Sequence, residues 1–378
     1  MFQVFSWLKF SDQCPFMSNL YHKIGELAVK VIFLELTNYY HRMTKALLAI
    51  VFYTLIAAQV FSKGIPEDGS LDNNGFEIHM VDNGRFSIET GMEFPAEYSD
   101  DDSLSLLPAV IFAPGSGSGS VFPSYVPGFQ DIFLRQAFLE RGYVVIRYNK
   151  RGLGHSNGNM RWSSLEGRAN DLLAIVDYYR SDDRINPDRI GVVGHSQGGW
   201  VVVIAGSQDS HLDFVISLSG PVRTMREQDM SREETDLLCR GFTGSELEKK
   251  LLSRHRSHNR MVRFGGIFPF FDLRFMHNSL DYNPEEALRA LESQTLLAFA
   301  ENDSMVRPVL NLDRLVQIFP EGIPPNIEVH VAPDTDHFFH ITETTCFNYM
   351  KALDDPYSQE FVDFYMDWVE EKVLKTDG

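Results

Sequence analysis

A serine lies between two glycines in Gly194-His195-Ser196-Gln197-Gly198, which follows an apolar run and precedes small and apolar residues. A serine hydroxyl is a weak nucleophile at neutral pH, so it needs an exposed position and a base within reach. A sharp strand-to-helix turn gives that exposure and leaves no room for side chains at the two glycines. The pattern predicts Ser196 as a nucleophile, with a structural glycine-rich turn as the alternative. We expect His195 to pack rather than to act as the base.

The segments around this turn must place it at the end of a strand. Short apolar runs typical of buried parallel strands alternate with helical patterns along the chain. We predict strands at 107–112, 143–148, 189–193, 214–218, 295–300 and 327–331. We predict helices at 129–141, 163–180, 200–206 and 359–374, the second beginning with a capping box at Ser163 and Glu166. This alternation is typical of an α/β fold with a doubly wound, mostly parallel sheet.

Two regions interrupt the alternation. Residues 76–94 alternate between apolar and polar side chains around a turn at 82–84, which predicts a β-hairpin and an antiparallel start to the sheet. Between about 221 and 283, charged helical sequence replaces the strands, so we predict an inserted helical cap. The aromatic stretch at 264–271 either lines a substrate pocket or packs the cap on the core.

The serine turn and one other segment resemble a known family. Residues 190–199, Ile-Gly-Val-Val-Gly-His-Ser-Gln-Gly-Gly, resemble the nucleophile turn of the α/β hydrolases, in the branches of the esterases and serine aminopeptidases. Residues 147–156 resemble that family's Asp-x-Arg-Gly-x-Gly-x-Ser loop, with Asn149 where aspartate is commoner. The resemblance covers roughly 76–368. It implies the α/β-hydrolase fold and a serine hydrolase that needs no cofactor.

Two later segments supply the partners that this family places beside its serine. In the family the acid follows the next-to-last strand and the histidine follows the last one. The resemblance therefore implies Asp303 as the acid and His337 as the base. The acid would hold the imidazole in the correct tautomer, and the base would take the serine proton. Glu301 is the alternative acid, and a solvated pair of carboxylates is the non-catalytic alternative.

Acyl transfer also needs hydrogen-bond donors at the oxygen that becomes negative in the tetrahedral intermediate. The resemblance implies the backbone N–H of Gln197, directly after the nucleophile. It implies a second backbone donor from the glycine- and serine-rich loop after the strand at 107–112. We assign that donor to Ser116, with Gly117 as the alternative.

Composition limits the partners. The 378 residues include 34 basic and 52 acidic side chains, for a formal net charge of -18. This charge disfavours nucleic acid and anionic membrane surfaces, and it favours an uncharged or cationic substrate. The three cysteines, Cys14, Cys239 and Cys346, are too few and too scattered to predict a disulfide framework or a cysteine metal site. His340 lies near His337, but no third ligand has a suitable spacing, so no metal site is predicted.

An apolar segment near the amino terminus indicates export. No charge occurs between Lys45 and Lys63, and the apolar run 46–58 follows a short basic start, as in a secretory signal peptide. An uncleaved membrane anchor and a buried helix are the alternatives. We interpret Met43 as the initiator and 1–42 as an upstream extension. The predicted organisation is therefore the extension, a signal peptide or anchor at 43–62, and a hydrolase domain at 63–378 in a periplasmic or secreted protein.

These observations predict a serine hydrolase that cleaves carboxylic esters through an acyl-enzyme formed on Ser196. An aminopeptidase-like or acyl-peptide hydrolase uses the same chemistry and is the alternative. A binding protein that kept the fold without activity, and a lyase or perhydrolase, are alternatives of another class. The expected partner is a small ester or peptide-like molecule, with membrane contact only if residues 46–62 stay uncleaved. The oligomeric state is left open.

Overall fold

Nine strands form one mixed sheet in the computed structural model, which describes residues 68–98 without 73, 106–117, 119–122, 125–267, 273–346 and 355–375. The strands are β1 (Ser70–Leu71), β2 (Glu77–Asp82), β3 (Ser87–Glu93), β4 (Leu107–Ala113), β5 (Val144–Tyr148), β6 (Ile185–His195), β7 (Phe214–Leu218), β8 (Gln294–Ala300) and β9 (Ile327–Ala332). Their order across the sheet is β1-β2-β3-β5-β4-β6-β7-β8-β9. The pairs from β1 to β3 and from β3 to β5 are antiparallel, and the pairs from β5 to β9 are parallel.

Eight α-helices of the described residues connect or flank these strands. They are α1 (Leu165–Arg180), α2 (Gln197–Gln208), α3 (Met225–Cys239), α4 (Gly244–Phe264), α5 (Leu273–Ser279), α6 (Glu285–Arg289), α7 (Pro308–Ile318) and α8 (Gln359–Val369). Wider π-helical turns lie at Asp131–Gln136 and Glu370–Leu374, and 3-10 turns lie at Leu139–Arg141 and Met160–Trp162. The predicted α/β class with a mostly parallel, doubly wound sheet is confirmed.

The sheet separates two apolar cores. Successive side chains of a strand point to opposite faces, and both faces of β4 are buried. Ala109 and Ile111 pack into the core that contains the apolar side chains of α1 and α2. Val110 and Phe112 pack into the second core, with the segment 126–139 and α8. A strand buried on both faces needs apolar residues at consecutive positions, which explains the short apolar runs in the sequence.

The predicted hairpin is confirmed, whereas the helix predicted at 129–141 is not regular. β2 and β3 pair antiparallel on either side of the predicted turn, with Asp82 opposite Ser87. The second segment forms one π-helical turn and one 3-10 turn. Its buried side chains Phe129, Phe133, Leu134 and Phe138 would spread over about half the circumference of a regular α-helix. A wider turn brings them closer to one side, where the second core lies.

The start of α1 lies one residue later than predicted. Ser164, not Ser163, is the N-cap, and its hydroxyl accepts a hydrogen bond from the Gly167 amide at 3.0 Å. The Ser163 hydroxyl instead donates to the Met160 carbonyl at 2.6 Å and accepts from the Arg168 guanidinium at 3.1 Å. Either of the two adjacent serines could cap the helix with its hydroxyl, so contacts with the rest of the fold determine which of them is the N-cap.

The region between β7 and β8 is helical, as predicted for the cap. Helices α3, α4 and α5 occupy it, followed by the short helix α6. Asp229 on α3 joins the first two of these helices. Its carboxylate accepts hydrogen bonds from Arg254 at 2.7 and 2.9 Å and contacts the His258 ring at 2.8 Å. The charged residues of this region therefore include one partly buried ion-pair cluster that holds α3 against α4.

A disulfide joins the cap to the carboxyl-terminal part of the domain. Cys239, the last residue of α3, is bonded to Cys346, and their Cα atoms are 5.4 Å apart. No disulfide was predicted from the three scattered cysteines, and for this pair that prediction was wrong. The two cysteines are 107 residues apart, so only the fold brings them together.

The predicted signal segment and the proposed extension lie outside the described residues. Within the described ranges, no helix combines the length and apolar character needed to cross a membrane.

Removing the disulfide should destabilise the domain. A cross-link between residues about 100 positions apart restricts the unfolded chain, and its loss typically costs about 2–4 kcal/mol. We expect the double variant Cys239→Ser/Cys346→Ser to unfold at a lower temperature than wild type, by several degrees, in a thermal scan followed by circular dichroism.

Dithiothreitol provides the control. It should lower the midpoint of wild type to that of the double variant and leave the double variant unchanged. Equal midpoints of wild type and double variant under oxidising conditions would contradict the stabilising role.

Candidate active site

Ser196 lies in a strained turn between β6 and α2. Its backbone has φ 56° and ψ -118°, which is unfavourable for a residue with a side chain. A Cβ on Gly194 would collide with the Gly198 carbonyl, and a Cβ on Gly198 would collide with the Ala113 carbonyl at the end of β4. The two glycines therefore permit a close backbone approach, as expected from the motif. The turn presents the serine side chain at the amino terminus of α2.

Asp303 and His337 form a buried pair. The Asp303 Oδ2 atom lies 2.6 Å from His337 Nδ1, and both residues are almost fully buried. The Oδ1 atom accepts hydrogen bonds from the amides of Met305 at 2.7 Å and Val306 at 2.8 Å. These bonds fix the carboxylate in the turn after β8. Because a carboxylate accepts from Nδ1–H, the Nε2 atom of the neutral ring is left as a proton acceptor.

Glu301 lies in the same turn but does not contact His337. Its carboxylate accepts a hydrogen bond from the Asp334 amide at 2.9 Å, and the side chain is exposed. Its contact therefore links the loop after β8 to the loop after β9. The geometry pairs Asp303, rather than Glu301, with the imidazole.

Ser196 lies on the wall of two cavities. The larger, of about 490 Å³, lies beneath the cap, and the smaller, of about 310 Å³, lies toward the loop after β9. His337 lines the smaller cavity only, whereas Ser116, Gly117 and Met305 line both. Ser196 and His337 thus face a common space, although no hydrogen bond joins their side chains within the described part of the chain.

The larger cavity has a mostly apolar wall with several charged groups. Its apolar and aromatic lining is Met160, Trp200, Pro221, Met225, Phe275, Met276, Met305 and Val306. The charged lining is Arg161, Arg168, Asp229 and Arg232. Of the stretch 264–271, Phe264 and Ile267 are exposed and line neither cavity, and residues 268–271 lie outside the described ranges. The aromatic wall is therefore supplied by Trp200 and Phe275.

Two residues that line the larger cavity have backbone amides with no acceptor among the described residues. In the described part of the chain, neither the Ser116 amide nor the Gln197 amide makes a hydrogen bond. Gln197 is the first residue of α2, where an amide has no acceptor within the helix. The Gln197 side chain is engaged separately, since its oxygen accepts a hydrogen bond from Arg168. The N–H groups of these two residues therefore remain the candidates for the predicted oxyanion donors.

His195 connects three parts of the site instead of only packing. Its Nε2 atom lies 3.0 Å from the His337 carbonyl, which can only accept, so Nε2 carries the proton. Burial, and secondarily the nearby charge of His337, holds the pKa of His195 well below its usual value, so the ring stays neutral. Its Nδ1 atom then accepts from the Tyr125 hydroxyl at 3.2 Å, and that hydroxyl accepts from the Gly115 amide at 3.0 Å.

Lys150 is a residue of the site that the sequence analysis did not single out. It follows β5, and its ammonium group donates to the carbonyls of Gly115 at 2.6 Å and Gly117 at 2.8 Å. Its neighbour Asn149, which stands where the family more often has aspartate, donates to Glu89 at 2.6 Å and accepts from the Val121 amide at 3.0 Å. The available signal was a lysine two residues after a predicted buried strand.

The described residues contain no group of three or more histidine, cysteine, aspartate or glutamate side chains that could hold a metal ion. His340 instead contacts Asp336, with 3.3 Å between Nδ1 and Oδ2.

Comparisons with known proteins place the chain among hydrolases. The model of the X-Pro dipeptidyl-peptidase (S15) family matches residues 62–263, more than half of the chain. An uncharacterized 31.7 kDa protein of Escherichia coli is 25% identical over 190 residues, which cover 46% of this chain and 66% of that protein. The mitochondrial palmitoyl-protein thioesterase ABHD10 of Homo sapiens is 31% identical over 98 residues, or 26% of this chain and 28% of that enzyme.

Solved structures share the fold at low sequence identity. DcsB, in complex with a substrate analogue, has a TM-score of 0.52 and 18% identity over 79% of this chain and 100% of its own. The acylaminoacyl peptidase of Pyrococcus horikoshii has a TM-score of 0.51 and 16% identity over 80% of this chain and 42% of its own. These similarities show the α/β-hydrolase fold, as the sequence analysis predicted.

The close approach at Gly198 should make that position intolerant of a side chain. We expect Gly198→Ala to lower the free energy of unfolding by about 1–3 kcal/mol, because its methyl group collides with the Ala113 carbonyl. Gly119→Ala is the matched control, since a Cβ there meets nothing within 4 Å. Urea titration of both variants measures the difference. Equal stability of the two variants would contradict the steric argument.

Proposed function

The chain belongs to the X-Pro dipeptidyl-peptidase (S15) family, and we propose that it is a serine hydrolase that cleaves carboxylic esters through an acyl-enzyme. The observation that carries the proposal is the buried pair of Asp303 and His337, which faces the same cavity as the strained Ser196 turn. A fixed carboxylate, an oriented imidazole and an exposed hydroxyl are the parts that acyl transfer to water requires.

In the proposed mechanism, Ser196 Oγ attacks the substrate carbonyl carbon while His337 Nε2 takes its proton. Asp303 keeps the imidazole in the Nδ1–H tautomer and stabilises the imidazolium that forms. The amides of Gln197 and Ser116 donate to the developing oxyanion, and one such donor is worth about 3 kcal/mol of barrier. His337 then protonates the leaving alcohol. A water molecule, deprotonated by the same histidine, releases the acid.

The positions of the two cavities orient the substrate. The leaving group must lie beside the histidine that protonates it, and His337 lines only the smaller cavity. The alcohol therefore occupies the smaller cavity. The acyl group occupies the larger one, against Trp200, Phe275 and the methionine side chains. A mostly apolar cavity of about 490 Å³ favours a medium-sized aliphatic or aromatic acyl group.

The charged residues that line the larger cavity favour the proposal that the substrate is an ester and not a peptide cleaved to a dipeptide. An enzyme that removes dipeptides must recognise a free α-ammonium group, which calls for an available carboxylate. Among the described residues that line this cavity, Asp229 is the only acid, and Arg254, His258 and Arg232 already engage it. A cationic substrate end would have to compete with these three partners. The family match favours an aminopeptidase-like activity, which is therefore the second candidate.

We also propose that the protein is exported. The predicted signal peptide at 43–62 motivates the proposal, and the bond between Cys239 and Cys346 supports it, since structural disulfides persist in oxidising compartments.

Purified protein should react with a fluorophosphonate probe and hydrolyse nitrophenyl esters, with medium-length acyl chains turned over better than acetate. X-Pro nitroanilides should be poor substrates, because the described residues that line the larger cavity include no unpaired carboxylate to bind their ammonium group. Ser196→Ala should abolish both labelling and turnover. Equal labelling of wild type and Ser196→Ala would refute the mechanism, and faster turnover of the nitroanilides than of the esters would favour the peptidase.

Two carboxylate variants serve as a matched pair in this assay. Asp303→Asn should lower kcat by about 10⁴-fold, because an amide no longer selects the required imidazole tautomer. Glu301→Gln should leave kcat close to the wild-type value. Similar losses in the two variants would show that Asp303 is not the acid of the triad.

Export is tested by expressing the full chain, fractionating the cells and sequencing the amino terminus of the product. We expect a mature amino terminus near Lys63 outside the cytoplasm, because cleavage follows the apolar run. An uncleaved chain in the membrane fraction would overturn the signal-peptide proposal in favour of an anchor.

A further inference from the structure

Lys150 places a buried positive charge beside the serine turn. Its side chain is 6% exposed and lines the smaller cavity. No carboxylate lies within ion-pair distance of its ammonium group in the described part of the chain. Burying a charge without a counter-ion is costly unless polar groups replace the lost water. In this case the replacement is a pair of carbonyl oxygens from one loop, those of Gly115 and Gly117.

The two carbonyl groups belong to the loop that carries the predicted oxyanion donor. In a trans peptide group the C=O and N–H bonds point in opposite directions. The Gly115 carbonyl shares its peptide group with the Ser116 amide. A hydrogen bond of 2.6 Å from Lys150 to that carbonyl therefore directs the Ser116 N–H away from the ammonium group.

We propose that Lys150 is a positioning residue that fixes the Ser116 amide as the second oxyanion donor. The inference rests on the proposed function and assigns a role within the same site. It also separates the two candidate donors. The Gly117 amide shares its peptide group with the Ser116 carbonyl, which Lys150 does not bind. The Ser116 amide shares its peptide group with the Gly115 carbonyl, which Lys150 does bind.

Further contacts support this role. The Gly115 amide donates to the Tyr125 hydroxyl at 3.0 Å, so this residue is held through both its N–H and its C=O. The Ser116 amide, by contrast, has no acceptor among the described residues. Burial, with a smaller contribution from the charge of Arg168, lowers the pKa of Lys150 to about 7. The ammonium form that donates to the two carbonyl groups therefore predominates below about pH 7.

The charge also strengthens the donor. An ammonium group that binds a carbonyl oxygen draws electrons from the peptide group, which makes its N–H a better hydrogen-bond donor. The effect is largest when the acceptor is an oxyanion, because hydrogen bonds to charged acceptors are the stronger ones. Lys150 should therefore stabilise the transition state more than the bound substrate.

The test compares Lys150→Met, which removes the ammonium group but keeps an apolar stem, with Lys249→Met on the exposed surface of α4. We expect Lys150→Met to lower kcat for a nitrophenyl ester by about 10–100-fold, with KM changed by less than about twofold. The affinity for an alkyl trifluoromethyl ketone, whose adduct with Ser196 carries an oxyanion, should fall by the same factor as kcat/KM. Lys249→Met should resemble wild type in all three measurements.

A third variant separates positioning from folding. Lys150→Arg retains a cation that can donate to two carbonyl groups, and we expect it to recover most of the kcat lost in Lys150→Met. Thermal unfolding of each variant shows whether it is folded. If Lys150→Met is unfolded, the inference is tested by the kcat of Lys150→Arg compared with that of wild type.

Several results would overturn the inference. For Lys150→Met, these are a kcat equal to that of Lys249→Met, a rise in KM at constant kcat, or an unchanged affinity for the ketone. A folded Lys150→Arg variant that is no more active than Lys150→Met would also overturn it. Inactive wild type that also fails to react with the fluorophosphonate probe would refute the proposed function itself.

Discussion

The unfavourable backbone of Ser196 depends on a close approach of three backbone segments. Gly194 and Gly198 allow the end of β6, the start of α2 and the end of β4 to meet at distances that no Cβ would permit. Packing on both faces of the sheet supplies the free energy that maintains this strain. The loops after β4, β8 and β9 lie at the same edge of the sheet, because the carboxyl ends of parallel strands point the same way. The proposed donors, acid and base are therefore all carried by loops at the edge of the sheet where the serine turn lies.

Patterns local in sequence predicted the fold well. Strands buried on both faces appear as short apolar runs, and the order of serine, acid and histidine followed from a family resemblance. Contacts between distant segments were not predictable in this way. The pairing of Cys239 with Cys346 depends on how distant segments meet in space. The same holds for the binding of Lys150 to the loop that contains Ser116. The roles of His195 likewise become visible only when the hydrogen-bond partners on both sides of its ring are known, the acceptor at Nε2 and the donor at Nδ1.

The family match and the geometry inform different parts of the proposal. The matched residues, 62–263, include the serine turn and most of the cap but end before Asp303 and His337. The pairing of those two side chains is therefore information that comes from the structure. The proposed substrate preference rests on Asp229, whose carboxylate is already paired with Arg254 and His258. A cavity that binds an ammonium group would need an unpaired carboxylate instead.

The separation of the two cavities at Ser196 has a kinetic consequence. In the proposed mechanism the alcohol can leave the smaller cavity while the acyl group remains in the larger one, so the exchange of alcohol for water does not require movement of the acyl chain. Turnover would then follow a ping-pong scheme, and a small alcohol that enters the vacated cavity would compete with water for the acyl-enzyme. The ratio of transferred to hydrolysed product would measure how strongly that cavity selects its occupant.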